Sequence, residues 1–413
     1  MLSPYRVLDL TTERGLLCGQ ILGDLGAGVI KVEPLDGSPA RRLGPFYQDQ
    51  LHPNRSLYWW AYNRNKRSIT LNLDSRDGQA ILRRLVASAH FLIESDTPGA
   101  LVERGLGYAD VAALNPALVY VSISPFGQDG PKAHYADSDL IILAAGGALV
   151  LIGDDDRPPV RVSVPQAYLH ASAEAAVAAL IAHHQRQRSG RGQHVDVSAQ
   201  QAVLQMAFSN ILAAPLGAPE YRRLSGGIKL GPLTLRLVWP AKDGYVAITF
   251  FFGSAIGPFT QRLMAYIYEE GFCDAATQDK DWIAYGDALL TGQESLEGYE
   301  QLARVVEEFT RSKTKAELLQ AAQERKLLIA PITTIDEVVH NDHFTARDYW
   351  RPLAHSELGQ AFRYPGPFAR FSATPIGYRR RPPLVGEHNR EIYIDELGFT
   401  AQQLAALQAQ GVI

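Results

Sequence analysis

YRVLDLTTERGLLCGQILGDLGAGVIKVEP, residues 5–34, carries two strand signals around one helix signal. YRVLDLT (5–11) is a short apolar run, LLCGQILGDLGAGV (16–29) places its apolar residues at helical spacing, and VIKVEP (29–34) is a second strand that Pro34 closes. The order predicts a βαβ unit. SITLNLD (68–74), GQAILRRLVASA (78–89) and HFLIES (90–95) repeat the pattern, and ALVYVSISPFG (117–127) adds a further strand. Such alternation predicts an α/β fold with a mostly parallel sheet flanked by helices, and ligands bound beyond the carboxyl ends of the strands.

Further along, VPQAYLHASAEAAVAALIAHHQRQRSGRGQ (164–193) opens on a proline, reads as alanine-rich helix over 167–188 and stops at a basic glycine turn. Tyr168 stands at the mouth of that helix. Unpaired N–H groups there carry partial positive charge, so anions and nucleophiles are often placed at such a position. The plainer alternative is an aromatic ring filling an irregular helix entry.

After VDVSAQQAVLQMAF the texture changes, and YRRLSGGIKLGPLTLRLVWPAKDGYVAITFFFG reads as linker, strand, turn and strand. Helical segments follow in GPFTQRLMAYIYEEG, YEQLARVVEEFTRS and TKAELLQAAQERK, the last with Thr314 as N-cap, before LIAPITTIDEVVHND turns back as a βα return. The expected division is a large domain over 1–224, a small domain over 225–328, and a segment over 329–413 that returns to the large domain.

At 413 residues the chain exceeds one ordinary core. Its formal charge of -4 shows no basic excess, which argues against nucleic acid as a partner. Cys18 and Cys273 are far apart and form no CxxC pattern, so neither a disulfide framework nor a zinc site is expected, and a reducing cytoplasm fits. The start lacks a signal-peptide pattern, and the longest apolar run, LIILAAGGALVLIG (140–153), is too short to span a bilayer. The expectation is a soluble cytoplasmic protein without a metal or membrane partner.

GxGxxG, GxxxxGK[ST], HExxH and GxSxG are all absent. Asp154, Asp155 and Asp156 precede RPP and read as a solvated turn; His183 and His184 are adjacent, point to different sides of a helix and read as surface residues. Lys66 and Arg67 in NRNKRS (63–68) stand at a strand start, where they could hold a phosphate. Arg41 and Arg42 in ARRLGPF (40–46) and Arg104 in ALVERGLGY (100–108) lie in loops after candidate strands. Basic loops gathered on one sheet edge point to a polyphosphate ligand; the alternative is ordinary solvated surface charge.

VLDLT, CGQILGDLGAGVIKVEP, NRNKRSITLNL, ESDTPGAL, GLGY, SISPFGQDGP, SDL followed by GG, and RSGRGQHVDVSAQQAVL resemble, in that order, the family III CoA-transferases, the group of formyl-CoA transferase, carnitine CoA-transferase and α-methylacyl-CoA racemase. The closing LVGEHNREIYIDELGFT resembles the family's C-terminal segment. The resemblance implies a Rossmann-like large domain, a smaller α+β domain and an interlocked, ring-like dimer. It implies coenzyme A or acyl-CoA as substrate together with a carboxylic acid, and no permanently bound cofactor. Arg14 and Gly15 then fall in the CoA-binding loop after the first strand, and Leu71, Ser95, Asp96 and Arg104 on or beside further CoA-contacting positions. Asp139 matches an acidic residue near the reacting centre, and Gly226 and Gly227 lie near the family's mobile glycine loop.

The sequence also departs from the family. The loop near Arg14 is one residue shorter than in formyl-CoA transferase, and Ala136 takes the place of a lysine, with Lys132 close by. The catalytic aspartate falls on Tyr168, and the histidine of the racemase falls on Ser138. In the family mechanism the aspartate forms a mixed anhydride and then a CoA thioester. A tyrosine has no carbonyl to receive CoA.

PPVRVSVPQAYLHA resembles an aspartate-poor branch of two-subunit enzymes. The leading expectation is therefore one subunit of a CoA-transferase that moves CoA from succinyl-CoA to a dicarboxylic acid such as malate or benzylsuccinate, with a paralogous partner supplying the nucleophile. One alternative is a stand-alone homodimeric isomerase, racemase or lyase using Tyr168, His170 and Asp139 as acid and base groups. Another is an acyl-CoA-binding protein without chemistry.

Overall fold

The computed structural model describes residues 1–217, 223–230 and 233–413. Two compact units emerge: Met1–Leu149 with Arg161–Gly217 and His343–Ile413, and a smaller one of Val150–Val160 with Ala218–Asp342.

The larger unit is built on a six-stranded sheet. Its strands are β1 (Arg6–Asp9), β2 (Gly28–Glu33), β3 (Lys66–Thr70), β4 (Phe91–Glu94), β5 (Val119–Ser124) and β6 (His194–Ser198). They lie in the order β3-β2-β1-β4-β5-β6, all parallel. This is the Rossmann order, with its switch point between β1 and β4. The expected α/β class and parallel sheet are present.

Helices cover both faces. On one face α1 (Leu16–Asp24) and α4 (Ala167–Ser189) pack over Val7, Val29, Phe91, Ile93 and Val121. Ala171, Ala175, Ala179 and Ala182 of α4 are buried there, and their small side chains let a long helix lie close to the sheet. On the other face α2 (Arg76–Val86) turns Ile81, Leu82 and Leu85 onto Leu8, Ile30, Ile69 and Leu92. The short helix α3 (Asp139–Ala145) precedes α4 in the chain.

The C-terminal segment covers the exposed edge of β3. His388 N donates to the Ser68 carbonyl at 2.9 Å, Thr70 N to Asn389 Oδ1 at 2.9 Å, and the Tyr393 hydroxyl to the Thr70 carbonyl at 2.6 Å. Arg67 joins the same seam by pairing with Glu391 at 2.7 Å and with Glu396. An edge strand so covered has no free ladder to offer another chain.

The smaller unit holds the antiparallel strands Val238–Ala241, Gly244–Ile248 and Ile329–Pro331, and a second antiparallel pair, Gly227–Leu230 with Leu233–Arg236. Trp239, Phe250, Met264, Trp282 and Phe309 form its core. Thr314 caps its helix as expected, with Glu317 completing a capping box. Ile329–Pro331, read from the sequence as the start of the return, pairs with Gly244–Ile248, so the chain stays in the smaller unit through Asp342.

Two sequence readings are corrected. His183 is not a surface residue: its ring is buried against Tyr5 at 4.4 Å and Phe91 at 5.4 Å, and burial, then Arg186, hold its pKa down to about 4. The aspartates at 154–156 are more than a solvated turn. Asp154 accepts from Ser225 N at 2.7 Å and Asp155 pairs with Lys229 at 3.0 Å, so they tie 150–160 into the smaller unit.

Candidate active site

At the carboxyl ends of β1, β2, β3 and β4 the larger unit opens a cavity of about 490 Å³. Thr11 and Thr12 line it from the β1–α1 loop, Glu33 from the end of β2 and Asp36 from beyond it, Leu71 and Asp74 from beyond β3, and Asp96 and Arg104 from beyond β4. This is where a doubly wound sheet binds ligands: the loops diverge at the switch point and leave a crevice.

The β1–α1 loop is fixed by close contacts. A Cβ on Gly15 would lie 2.5 Å from Thr11 Cγ2, so only glycine lets the loop fold back on itself. Thr12 N donates to Ser95 Oγ at 2.8 Å, joining the loops after β1 and β4. Asp96 N donates to Glu94 Oε2 at 2.8 Å. Burial pushes the Glu94 carboxyl up to about 7, against the hydrogen bonds from Ser122 and the Asp96 backbone that favour its charged form. Asp96 is raised as well, by burial, while Arg104, Arg14 and Lys31 oppose the shift.

Several basic residues expected at the ligand are engaged elsewhere. Lys66 is fully buried and bonds to Asp9, the Leu16 carbonyl and Asn63, so it has no donor left for a ligand phosphate. Arg67 pairs with Glu391 and Glu396, and Arg41 grips Glu33 with two bonds of 2.6 and 2.8 Å beneath Trp59. These three are internal ion pairs, a correction to the phosphate-binding reading. A buried guanidinium or ammonium needs its counter-charge within the fold. Arg42 is exposed and pairs with Asp36, and Arg104 pairs with Asp74 at 2.8 Å. Lys132 is exposed on the loop before α3.

The start of α4 gathers a second cluster in the same unit. Tyr168 donates its hydroxyl to Asp137 Oδ2, and Arg14 pairs with Asp137 Oδ1 at 2.6 Å. Asp139 Oδ1 accepts from Gln166 N at 2.6 Å and Ala167 N at 2.8 Å, so it caps the helix from outside. Its Oδ2 is buried and has no hydrogen-bond partner among the described residues. Burial, then the bond to Asp137, raise the Tyr168 pKa above the ordinary phenol value, with Arg14 opposing. The phenol is thus a donor rather than a base or nucleophile at neutral pH. His170 is exposed.

Gly226 and Gly227 lie in the smaller unit. Gly226 has φ +65, and its carbonyl accepts from Leu237 N at 2.7 Å and Val238 N at 3.0 Å. It borders a cavity of about 440 Å³ with Arg236, Tyr245, Glu307 and Arg311.

Asp137, Glu94, Asp9 and Lys31 escaped the sequence reading. Asp137 lies 31 positions from Tyr168 and 123 from Arg14, so no local spacing could pair them. Among the described residues no His/Cys/Asp/Glu group could hold a metal ion, and no helix is long and apolar enough to cross a membrane.

Comparison with known proteins places the chain among its relatives. The chain is 36% identical over 413 residues to the succinyl-CoA:(R)-benzylsuccinate CoA-transferase subunit BbsE of Thauera aromatica, covering all of this chain and 98% of the relative. It is 35% identical to the succinyl-CoA–D-citramalate CoA-transferase of Chloroflexus aurantiacus, again covering all of this chain and 98% of the relative. Among solved structures, a CAIB/BAIF family protein from Brucella suis superposes with a TM-score of 0.80 at 27% identity, covering 95% of this chain and 98% of the other. The model of CoA-transferase family III matches residues 2–389, and the chain belongs to that family.

Proposed function

We propose that this chain is the CoA-binding, non-nucleophilic subunit of a CoA-transferase that uses succinyl-CoA and a dicarboxylic acid, and that a paralogous subunit carries the catalytic aspartate. The observation that carries the reading is the phenol of Tyr168, tied to Asp137 at the helix start where the family resemblance places the nucleophile. A protonated phenol is a poor nucleophile toward the donor acyl-CoA and has no carbonyl for CoA thiolate to attack, so neither covalent step of the family can run on this residue.

The cavity at the switch point suits the nucleotide end of CoA, with Arg104, Asp96, Leu71, Thr11 and Thr12 around it. Arg14 is read as holding Asp137, Lys132 and Arg42 as reaching the phosphates from the rim, and Gly226 and Gly227 as part of the family's mobile glycine loop. The relative from Thauera aromatica, named as a subunit that uses succinyl-CoA, supports both the donor and the two-subunit assembly. Exposed apolar side chains support assembly with another subunit. Val177 and Ile181, one turn apart on α4, are exposed, as are Phe208, Leu212 and Leu216 in the segment that follows β6. An interlocked dimer or heteromer would cover them.

The acid–base alternative is less well served, because Tyr168 is held protonated, Asp139 Oδ1 is committed to the helix start, and His170 lies exposed. The deciding experiment is to purify the chain alone and assay CoA transfer from succinyl-CoA to malate or benzylsuccinate. Binding of CoA without transfer, and transfer on adding a co-purifying paralogue, is the expected result. Robust transfer by the pure homomer overturns it.

A further inference from the structure

Asp9 lies at the end of β1, fully buried, and two lysines converge on it. Lys66 Nζ is 2.8 Å from Asp9 Oδ2, 2.8 Å from the Leu16 carbonyl and 2.9 Å from Asn63 Oδ1. Lys31 Nζ is 3.2 Å from Asp9 Oδ1, 3.1 Å from the Asp9 carbonyl and 2.5 Å from the Thr11 carbonyl. Each nitrogen faces three acceptors. A neutral amine has two N–H donors and an ammonium three, so both lysines are charged. Burial pulls the Lys66 pKa down and Asp9 pulls it back up; the three acceptors decide for the charged form.

Two ammoniums against one carboxylate leave one positive charge in the fold. Cys18 beside them does not cancel it, since burial raises its thiol pKa and keeps it neutral. No other acidic side chain among the described residues bonds to either ammonium. Lys31 acts on Asp96 only across space, without a hydrogen bond, and a buried cation without a bonded counter-charge is costly, a cost that an apolar side chain at position 31 would avoid.

The cluster grips the β1–α1 loop at both ends. Thr11 N and Oγ1 donate to Asp9 Oδ1 at 3.0 and 2.6 Å, and the Thr11 carbonyl accepts from Lys31, while Lys66 holds the Leu16 carbonyl. A Cβ on Gly19 would lie 2.2 Å from Asp9 Oδ2, so α1 closes over the carboxylate only with glycine there. Thr11 and Thr12 then form the cavity wall. Around that wall the cations are already matched: Arg104 by Asp74, Arg42 by Asp36 and Arg41 by Glu33. The spare charge lies beneath the loop.

We infer that Asp9, Lys31 and Lys66 act together as a positioning unit that sets the β1–α1 loop and lends the cavity one buried positive charge, favouring a ligand that brings phosphate groups to it. A charge in a low-dielectric interior is screened less by salt than one at the rim, so it acts on an anion at the mouth. The inference rests on the CoA reading above.

The test is calorimetric titration of the full chain with CoA at low and high salt, comparing wild type with Lys31→Gln and Lys31→Met. Both variants leave Asp9 matched by Lys66, and the glutamine keeps a donor for the Thr11 carbonyl. Both are expected to fold and to bind CoA about tenfold more weakly at low salt, with most of the deficit persisting at high salt. A Kd within twofold of wild type, a deficit that disappears at high salt, or loss of the fold in both variants overturns the inference. A wild-type chain that gives no CoA binding instead removes the CoA reading itself, and this inference with it.

Discussion

The hydroxyl of Tyr168 donates to the carboxylate of Asp137, which Arg14 holds from its other oxygen at 2.6 Å. Three residues from the loop after β1, the loop before α3 and the first turn of α4 are thereby locked together. Tyr168→Phe removes one charge-assisted hydrogen bond from a half-buried site and is expected to cost about 1–2 kcal/mol in chemical denaturation. Tyr168→Asp sets a second carboxylate beside Asp137 with Arg14 alone to serve both, at about 3 kcal/mol. Adding Asp137→Asn to Tyr168→Asp should recover part of that loss. Phe at 168 with unchanged stability would show that the bond contributes nothing.

Stability should fall as pH rises through the range that Glu94 titrates. Its folded pKa is about 7 against an ordinary 4.5, so the folded protein keeps the proton longer than the unfolded chain. The contribution is complete below 4.5 and lost as pH rises to about 7; the shift corresponds to roughly 3 kcal/mol. Glu94→Gln should flatten this part of a Tm-against-pH curve between pH 4 and 8. An unaltered curve would assign the slope to other groups.

Arg104 is shared between Asp74 and any ligand in the cavity. Arg104→Ala should weaken CoA binding by roughly 1–3 kcal/mol. Asp74→Asn should do the reverse, tightening it severalfold by freeing the guanidinium. Asp74 is largely exposed, so stability should move by no more than about 0.5 kcal/mol. Titration of both variants with CoA checks the pair; equal affinities would place Arg104 outside the site.

Asp9→Asn leaves two buried ammoniums without their carboxylate. The expected loss is about 3–5 kcal/mol, enough to lower expression or Tm sharply. A variant as stable as wild type would show that one lysine sheds its proton on losing Asp9, which a pH dependence of its stability would then reveal.

The sequence by itself determined the alternation of strands and helices, and with it the parallel sheet whose carboxyl end holds the cavity. Short apolar runs, a helical period of apolar residues and closing prolines or glycines are local signals, and each is set by neighbours a few positions away. The same locality let residue 168 be placed at a helix start and compared with the family. What the tertiary structure decided was which charges meet. Lys66, Arg67 and Arg41 read as ligand-binding cations because sequence shows a charge and not its partner; folding brings each to a carboxylate, 57 positions away for Lys66 and Asp9. His183 looked like one of two surface histidines, and only the packing of α4 on the sheet turns it inward against Tyr5 and Phe91. Asp137 carried no motif at all. Burial makes an unpaired charge costly, so the pairing of polar groups is fixed by which strands and loops become neighbours, and that is a property of the closed sheet rather than of any stretch of chain.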